Sequence, residues 1–132
     1  MSAGERRLIS SGGPWEASAG YSRAVVVGDS CWVSGTTDAG PDGRSLHPAD
    51  AAAQARASLA IIAEALRGAG FRLEDVVRTR TYVTDMGDAT GVLAAHAEVF
   101  RIIRPAATIV AVSALLEPSL LVEIEVDARR AG

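Results

Sequence analysis

Three carboxylates stand at every second position of the stretch LLVEIEVDA, as Glu123, Glu125 and Asp127. In an extended chain alternate side chains share a face, so these acids lie side by side and the ionisation of one disfavours the next. A carboxyl whose proton affinity is raised in this way can act as an acid or draw a proton from water. A solvated strand face has the same pattern, because charged residues mostly lie outside. The residues by themselves leave both readings open.

Arg78 and Arg80 in VVRTRTYVT also share a face. They suit a carboxylate or phosphate ligand, or a pairing across a sheet with Glu123 and Glu125. His96 has no second His or Cys at ligand spacing, so it reads as a structural histidine rather than a metal ligand or base, and no metal site is expected. Cys31, beside Trp32, is the lone cysteine, cannot form an internal disulfide, and reads as a small buried hydrophobe. Ser34-Gly35 at a strand end and Tyr21-Ser22 ahead of a strand offer hydroxyls and a backbone that a ligand can approach closely. No Gly-rich phosphate loop or nucleophile elbow is present.

The elements that must position these groups follow from periodicity. Arg23 to Val27 and Cys31 to Ser34, around Gly28-Asp29-Ser30, predict a β-hairpin. Thr36 to Pro48, dense in Gly, Pro, Asp and Ser, predicts a surface loop. Ala52, Ala55, Leu59, Ile62 and Leu66 recur at steps of three and four and predict an amphipathic helix from Asp50 to Arg67, with Gln54 and Ser58 off the apolar stripe. Asp50 suits its N-cap, and Gly68 and Gly70 its stop. A strand follows from Val76 to Thr84, then a second helix from Asp88 to Ile103 ended by Pro105. Two more strands span Ala107 to Leu115 and Leu120 to Ala128. The first of them is apolar on both faces, which predicts cover from a second subunit.

The resulting order is β-β-α-β-α-β-β in a single α+β domain, residues 1–132, with residues 1–20 an irregular N-terminal segment. Apolar residues make up 48% of the chain but aromatic ones only 5%, so the core must be built from small side chains. Thirteen Lys and Arg against sixteen Asp and Glu give a net charge of -3, which argues against nucleic acid as a partner. No run reaches the roughly 18 apolar residues of a membrane span, and MSAGERRLISSGG lacks a secretory signal's apolar core. A cytoplasmic protein is the expectation.

The segments GYSRAVVVGDSCWVSG, AQARASLAIIAEALRGAG, DVVRTRTYVTDM, RPAATIVAV and LVEIEVDA together resemble the RidA/YjgF family, formerly the L-PSP endoribonuclease family. The resemblance runs from Tyr21 to Ala128. It implies a chorismate-mutase-like fold, a mixed sheet backed by two helices, and a homotrimer with a central β-barrel and small-molecule clefts between subunits. It further implies hydrolysis of reactive enamines and imines to 2-oxo acids and ammonia without a cofactor.

Carried over residue by residue, the resemblance places Glu123 as the catalytic group at the water. Tyr21, Ser34 and Gly35 line the cleft with it, and Ala107 and Ile109 belong to the substrate-binding set. The family arginine that grips the substrate carboxylate falls at Ala107 and is missing; losing such a bidentate contact costs about three decades in affinity or rate. Leu93 and His96 depart from the usual Asn and Tyr. Arg80 or Arg104 are the cations that could replace the lost arginine, and Trp15 is either a core cap or a roof over a ligand. The implied function is a RidA-like hydrolase whose usual 2-imino acid activity is undermined by Ala107. The alternative is a non-catalytic trimer that binds a small ligand or a partner enzyme.

Overall fold

A computed structural model describes residues 5–131. Its sheet is mixed and six-stranded, in the order β1-β2-β3-β6-β4-β5. The strands are β1 (Arg6–Ile9), β2 (Ala24–Val27), β3 (Ser30–Thr36), β4 (Val76–Val83), β5 (Ala106–Ala111) and β6 (Val122–Arg129). The helices are α1 (Glu16–Ala19), α2 (Ala51–Gly68) and α3 (Ala89–Phe100). The predicted β-β-α-β-α-β-β order is found as β2-β3-α2-β4-α3-β5-β6. Within the stretch read as irregular, β1 pairs antiparallel with β2 and the short α1 precedes Tyr21.

The alternation in β6 divides the sheet. Val122, Ile124, Val126 and Ala128 are buried toward the helices, while Glu123, Glu125 and Asp127 lie on the opposite face. Pairing across the sheet extends the rule: Thr79 and Thr81 of β4 are buried with Val126 and Ile124, and Arg80 and Tyr82 stand opposite Glu125 and Glu123 on the open face. Leu59, Ile62 and Leu66 of α2 and Val92 and Ala95 of α3 complete the core. Asp50 caps α2, accepting from the Ala53 N–H at 3.0 Å, and Gly70 takes the left-handed φ of +84° beyond the helix end.

Two expectations need correction. Gln54 and Ser58, read as off the apolar stripe, are wholly buried. Gln54 satisfies its amide by donating to the carbonyls of His47 (3.1 Å) and Ser119 (3.0 Å) and accepting from Leu121 N–H (2.8 Å), so it ties two loops to α2. β5 ends at Ala111, short of Leu115, and is the edge strand, parallel to β4. Its residues are largely exposed within one chain, Val110 retaining 40% exposure, so the predicted cover could come only from outside the chain. The open face is polar along β4 and β6, while Leu8, Val25 and Trp32 form an apolar row across β1, β2 and β3 and Val110 lies on β5. Among the described residues no helix is long and apolar enough to cross a membrane.

Candidate functional site

Glu123 is put to use by a defect in the ladder. β3 and β6 pair as Val33↔Val126 and then Thr36↔Ile124, so β3 carries one extra residue, a bulge at Ser34-Gly35. The bulge brings Gly35 against the carboxylate of Glu123: a Cβ built at 35 would lie 2.5 Å from Oε2 and 2.8 Å from Cδ. Only glycine leaves that space. Half-buried, the Glu123 carboxylate faces a cavity of about 290 Å³ that Tyr21, Arg23, Gly35 and Trp15 also line. Burial and then the neighbouring Glu125 push its proton affinity above the ordinary value of 4.5, with Arg23 pulling the other way.

Arg23 is the cation that sequence reasoning passed over. Buried at the head of β2, it donates through Nη1 to the Gly35 carbonyl at 2.7 Å and to Thr36 Oγ1 at 3.1 Å. Its Nε donates to Ser11 Oγ at 3.2 Å, and Nη2 lies 3.6 Å from Glu16 Oε2. Glu16 is buried too. Burial raises its proton affinity, but donors outweigh that: the hydroxyls of Ser11 and Ser10 and the N–H groups of Gly13 and Ser11 hold it below the ordinary carboxylate range. Gly13 is closely fitted here, since a Cβ would sit 2.9 Å from Glu16 Oε2. The Ser11-to-Trp15 segment thus becomes one wall of the cavity. The available signal was an acid and an arginine on either side of Tyr21.

The opposite wall is the loop after β3. Asp38, buried, accepts from Ser45 Oγ (2.8 Å) and His47 N–H (3.1 Å) and lies 3.0 Å from His47 Nδ1. Those contacts hold Thr37, Gly40, Pro41 and Leu46 at the cavity. Trp15 packs against the same loop at Gly43, which has a φ of +85° and would place a Cβ 3.1 Å from the indole.

Of the residues singled out from the sequence, the fold gathers Glu123, Tyr21, Gly35 and Trp15 at this cavity. Ser34 lies next to it, its hydroxyl spent on the Ser22 carbonyl at 2.7 Å. Arg80 lies elsewhere on the open face, 3.4 Å from Asp127 rather than paired with Glu123 or Glu125, and Glu125 accepts from Tyr82 instead. Ala107 and Ile109 lie on β5, paired with Thr79 and Thr81 and away from the cavity within one chain. Arg104, exposed with a φ of 56°, follows α3 and does not line it. His96 sits between helix and sheet, 2.8 Å from Thr79 Oγ1, and burial lowers its proton affinity. Among the described residues, no group of three His, Cys, Asp or Glu side chains is placed to hold a metal ion.

A mixed sheet backed by two helices, with a carboxylate projecting from the last strand into a small cavity, defines a class of compact α+β domains. Residues 14–130 match the family model described as Endoribonuclease L-PSP, and the chain belongs to that RidA/YjgF family. It is similar to a crystal structure from Mycobacterium tuberculosis described as a member of the highly conserved YjgF/YER057c/UK114 family, with a TM-score of 0.86, 47% identity, and coverage of 96% of this chain and 100% of that one. An uncharacterized protein of Streptomyces coelicolor is 36% identical over 94% of this chain and 92% of its own length. The 2-iminobutanoate/2-iminopropanoate deaminase of Capra hircus is 31% identical over 87% of this chain and 84% of its own.

Proposed function

We propose that the protein hydrolyses a reactive imine or enamine, with Glu123 as the group that activates water, in clefts completed between three copies of the chain. The observation that carries the reading is the Glu123 carboxylate itself. It is half-buried, raised in proton affinity, and faced by a glycine whose missing side chain leaves it room. A carboxylate of raised proton affinity is the better base.

Chemically, Glu123 takes a proton from water as the oxygen adds to the imine carbon, and passes that proton to the nitrogen. The carbinolamine then gives its hydroxyl proton to Glu123, the proton moves to nitrogen, and the C–N bond breaks. Ammonia leaves and a carbonyl remains. No cofactor enters these steps. The similarity to a named 2-imino acid deaminase supports the class of reaction. The exposed edge strand β5, with Val110 and Trp32 on the open face, supports threefold self-association, which would bring β5 of one copy toward another's cleft.

The test is release of ammonia from freshly generated imines, with and without a 2-carboxylate, by wild type and Glu123→Gln. Acceleration by wild type alone is expected. Equal rates for both proteins with every imine would overturn the reading. Ala107 favours a second one, a trimer that keeps the cleft to bind a small ligand without turnover; saturable ligand binding with no rate above Glu123→Gln would support it.

A further inference from the structure

The charges that one chain places around the cavity do not compose a carboxylate site. Among the described residues lining it, only Arg23 and Glu123 are formally charged. Arg23 spends Nε and Nη1 on Ser11, Gly35 and Thr36, and its charge is answered by the buried Glu16, 3.6 Å from Nη2. Among the described residues the Glu123 carboxylate has no hydrogen-bond partner, and Glu125 beside it is held by Tyr82. Arg80 is paired with Asp127 and Arg104 lies outside the cavity. The remaining lining is largely apolar, with Trp15, Leu46 and Leu116 prominent.

We infer that this cavity takes a protonated imine or amine with an apolar body and no carboxylate, its nitrogen against Glu123 and its body against Trp15 and Leu46. The inference rests on the reading of Glu123 as the working group of the cleft. An arriving anion would meet the carboxylate of Glu123 and an Arg23 whose charge Glu16 already offsets, so its desolvation would be poorly compensated. A cation exchanges its water for an opposite charge, and an indole face adds to that attraction. Ala107 fits the same scheme, because a substrate without a carboxylate has no use for an arginine there.

The test uses two inert probes of similar shape, benzylammonium and phenylacetate, titrated into the full chain by isothermal calorimetry. Benzylammonium is expected to bind about tenfold or more tightly than phenylacetate, and Glu123→Gln to erase that advantage. Equal or tighter binding of phenylacetate, absence of saturable benzylammonium binding, or a preference untouched by Glu123→Gln would each overturn it. The two readings fail separately. Amine preference without ammonia release would remove the hydrolytic reading alone, and rapid hydrolysis of 2-imino acids with tight phenylacetate binding would remove this one alone.

Discussion

Arg23 donates to the carbonyl of Gly35 at 2.7 Å, so the residue that makes room for Glu123 is held in place by a buried cation. Arg23 is in turn held by Glu16. Removing one partner of such a buried pair leaves the other uncompensated. Glu16→Gln is expected to cost about 3 kcal/mol in urea unfolding. A loss below a tenth of that would show the pair to be incidental.

Arg23 also opposes the rise in proton affinity of Glu123. A base works only when deprotonated, so the rate climbs with pH through its titration. Arg23→Gln is expected to move this acid limb of the pH–rate profile to higher pH. An unmoved limb accompanied by a lower plateau would assign Arg23 a purely structural role.

Gly35→Ala brings a methyl group within 2.5 Å of Glu123 Oε2. The carboxylate lies at the end of a flexible side chain and can swing away, so the fold should survive at a cost of about 1–2 kcal/mol. Hydrolysis is expected to fall to the level of Glu123→Gln. Retained activity in a folded variant would show that the fit between these two residues is not needed.

The raised proton affinity of Glu123 has a sign that stability can read. Because the folded state holds this proton more tightly than the unfolded chain, ionisation opposes folding. The penalty is absent below the ordinary value of 4.5, grows as pH rises toward the folded-state value, and is complete above it. Glu123→Gln should therefore be more stable than wild type at about pH 8, and this advantage should vanish near about pH 4. Denaturant midpoints at the two pH values measure it, and a gap of the same size at both would contradict it.

Ala107 is exposed on the edge strand, so Ala107→Arg should fold normally, within about 0.5 kcal/mol of wild type. If neighbouring copies complete the cleft, the new guanidinium supplies a carboxylate anchor, and 2-imino acid hydrolysis is expected to rise on the order of a hundredfold. Light scattering on the same samples should give three chain masses. A single-chain mass would remove the anchor's route to the cleft.

Much of this architecture was legible from periodicity. β6 alternates strictly between apolar residues and acids, and its burial follows that alternation residue by residue. Asp50 and Gly70 bracket α2 because capping is chemistry local to a few residues. The edge position of β5 was not legible. An apolar strand of small residues looks the same whether its neighbours lie in its own chain or another, and strand order is a long-range property. Gln54 was misplaced for a related reason, since its partners His47, Ser119 and Leu121 come from distant loops.

The candidate site divides in the same way. Tyr21, Gly35 and Glu123 were found through a family resemblance that covers their neighbourhoods, and the cavity gathers all three. Arg23 and Glu16 were missed because each looks unremarkable in sequence, one at a strand end and one in a Ser- and Gly-rich lead-in. Only folding shows that they bury together. Arg80 offered the opposite lesson: a conspicuous cation whose local partner, Asp127, satisfies it away from the cavity.

Cys31 lies fully buried between Val26 and Ala128 in the sheet, and burial pushes its thiol up to about 11. The native molecule therefore offers almost no thiolate to an alkylating dye, whereas an opened chain offers an ordinary one. Labelling kinetics would accordingly count excursions out of the native state, giving each copy a built-in clock for how often its sheet comes apart.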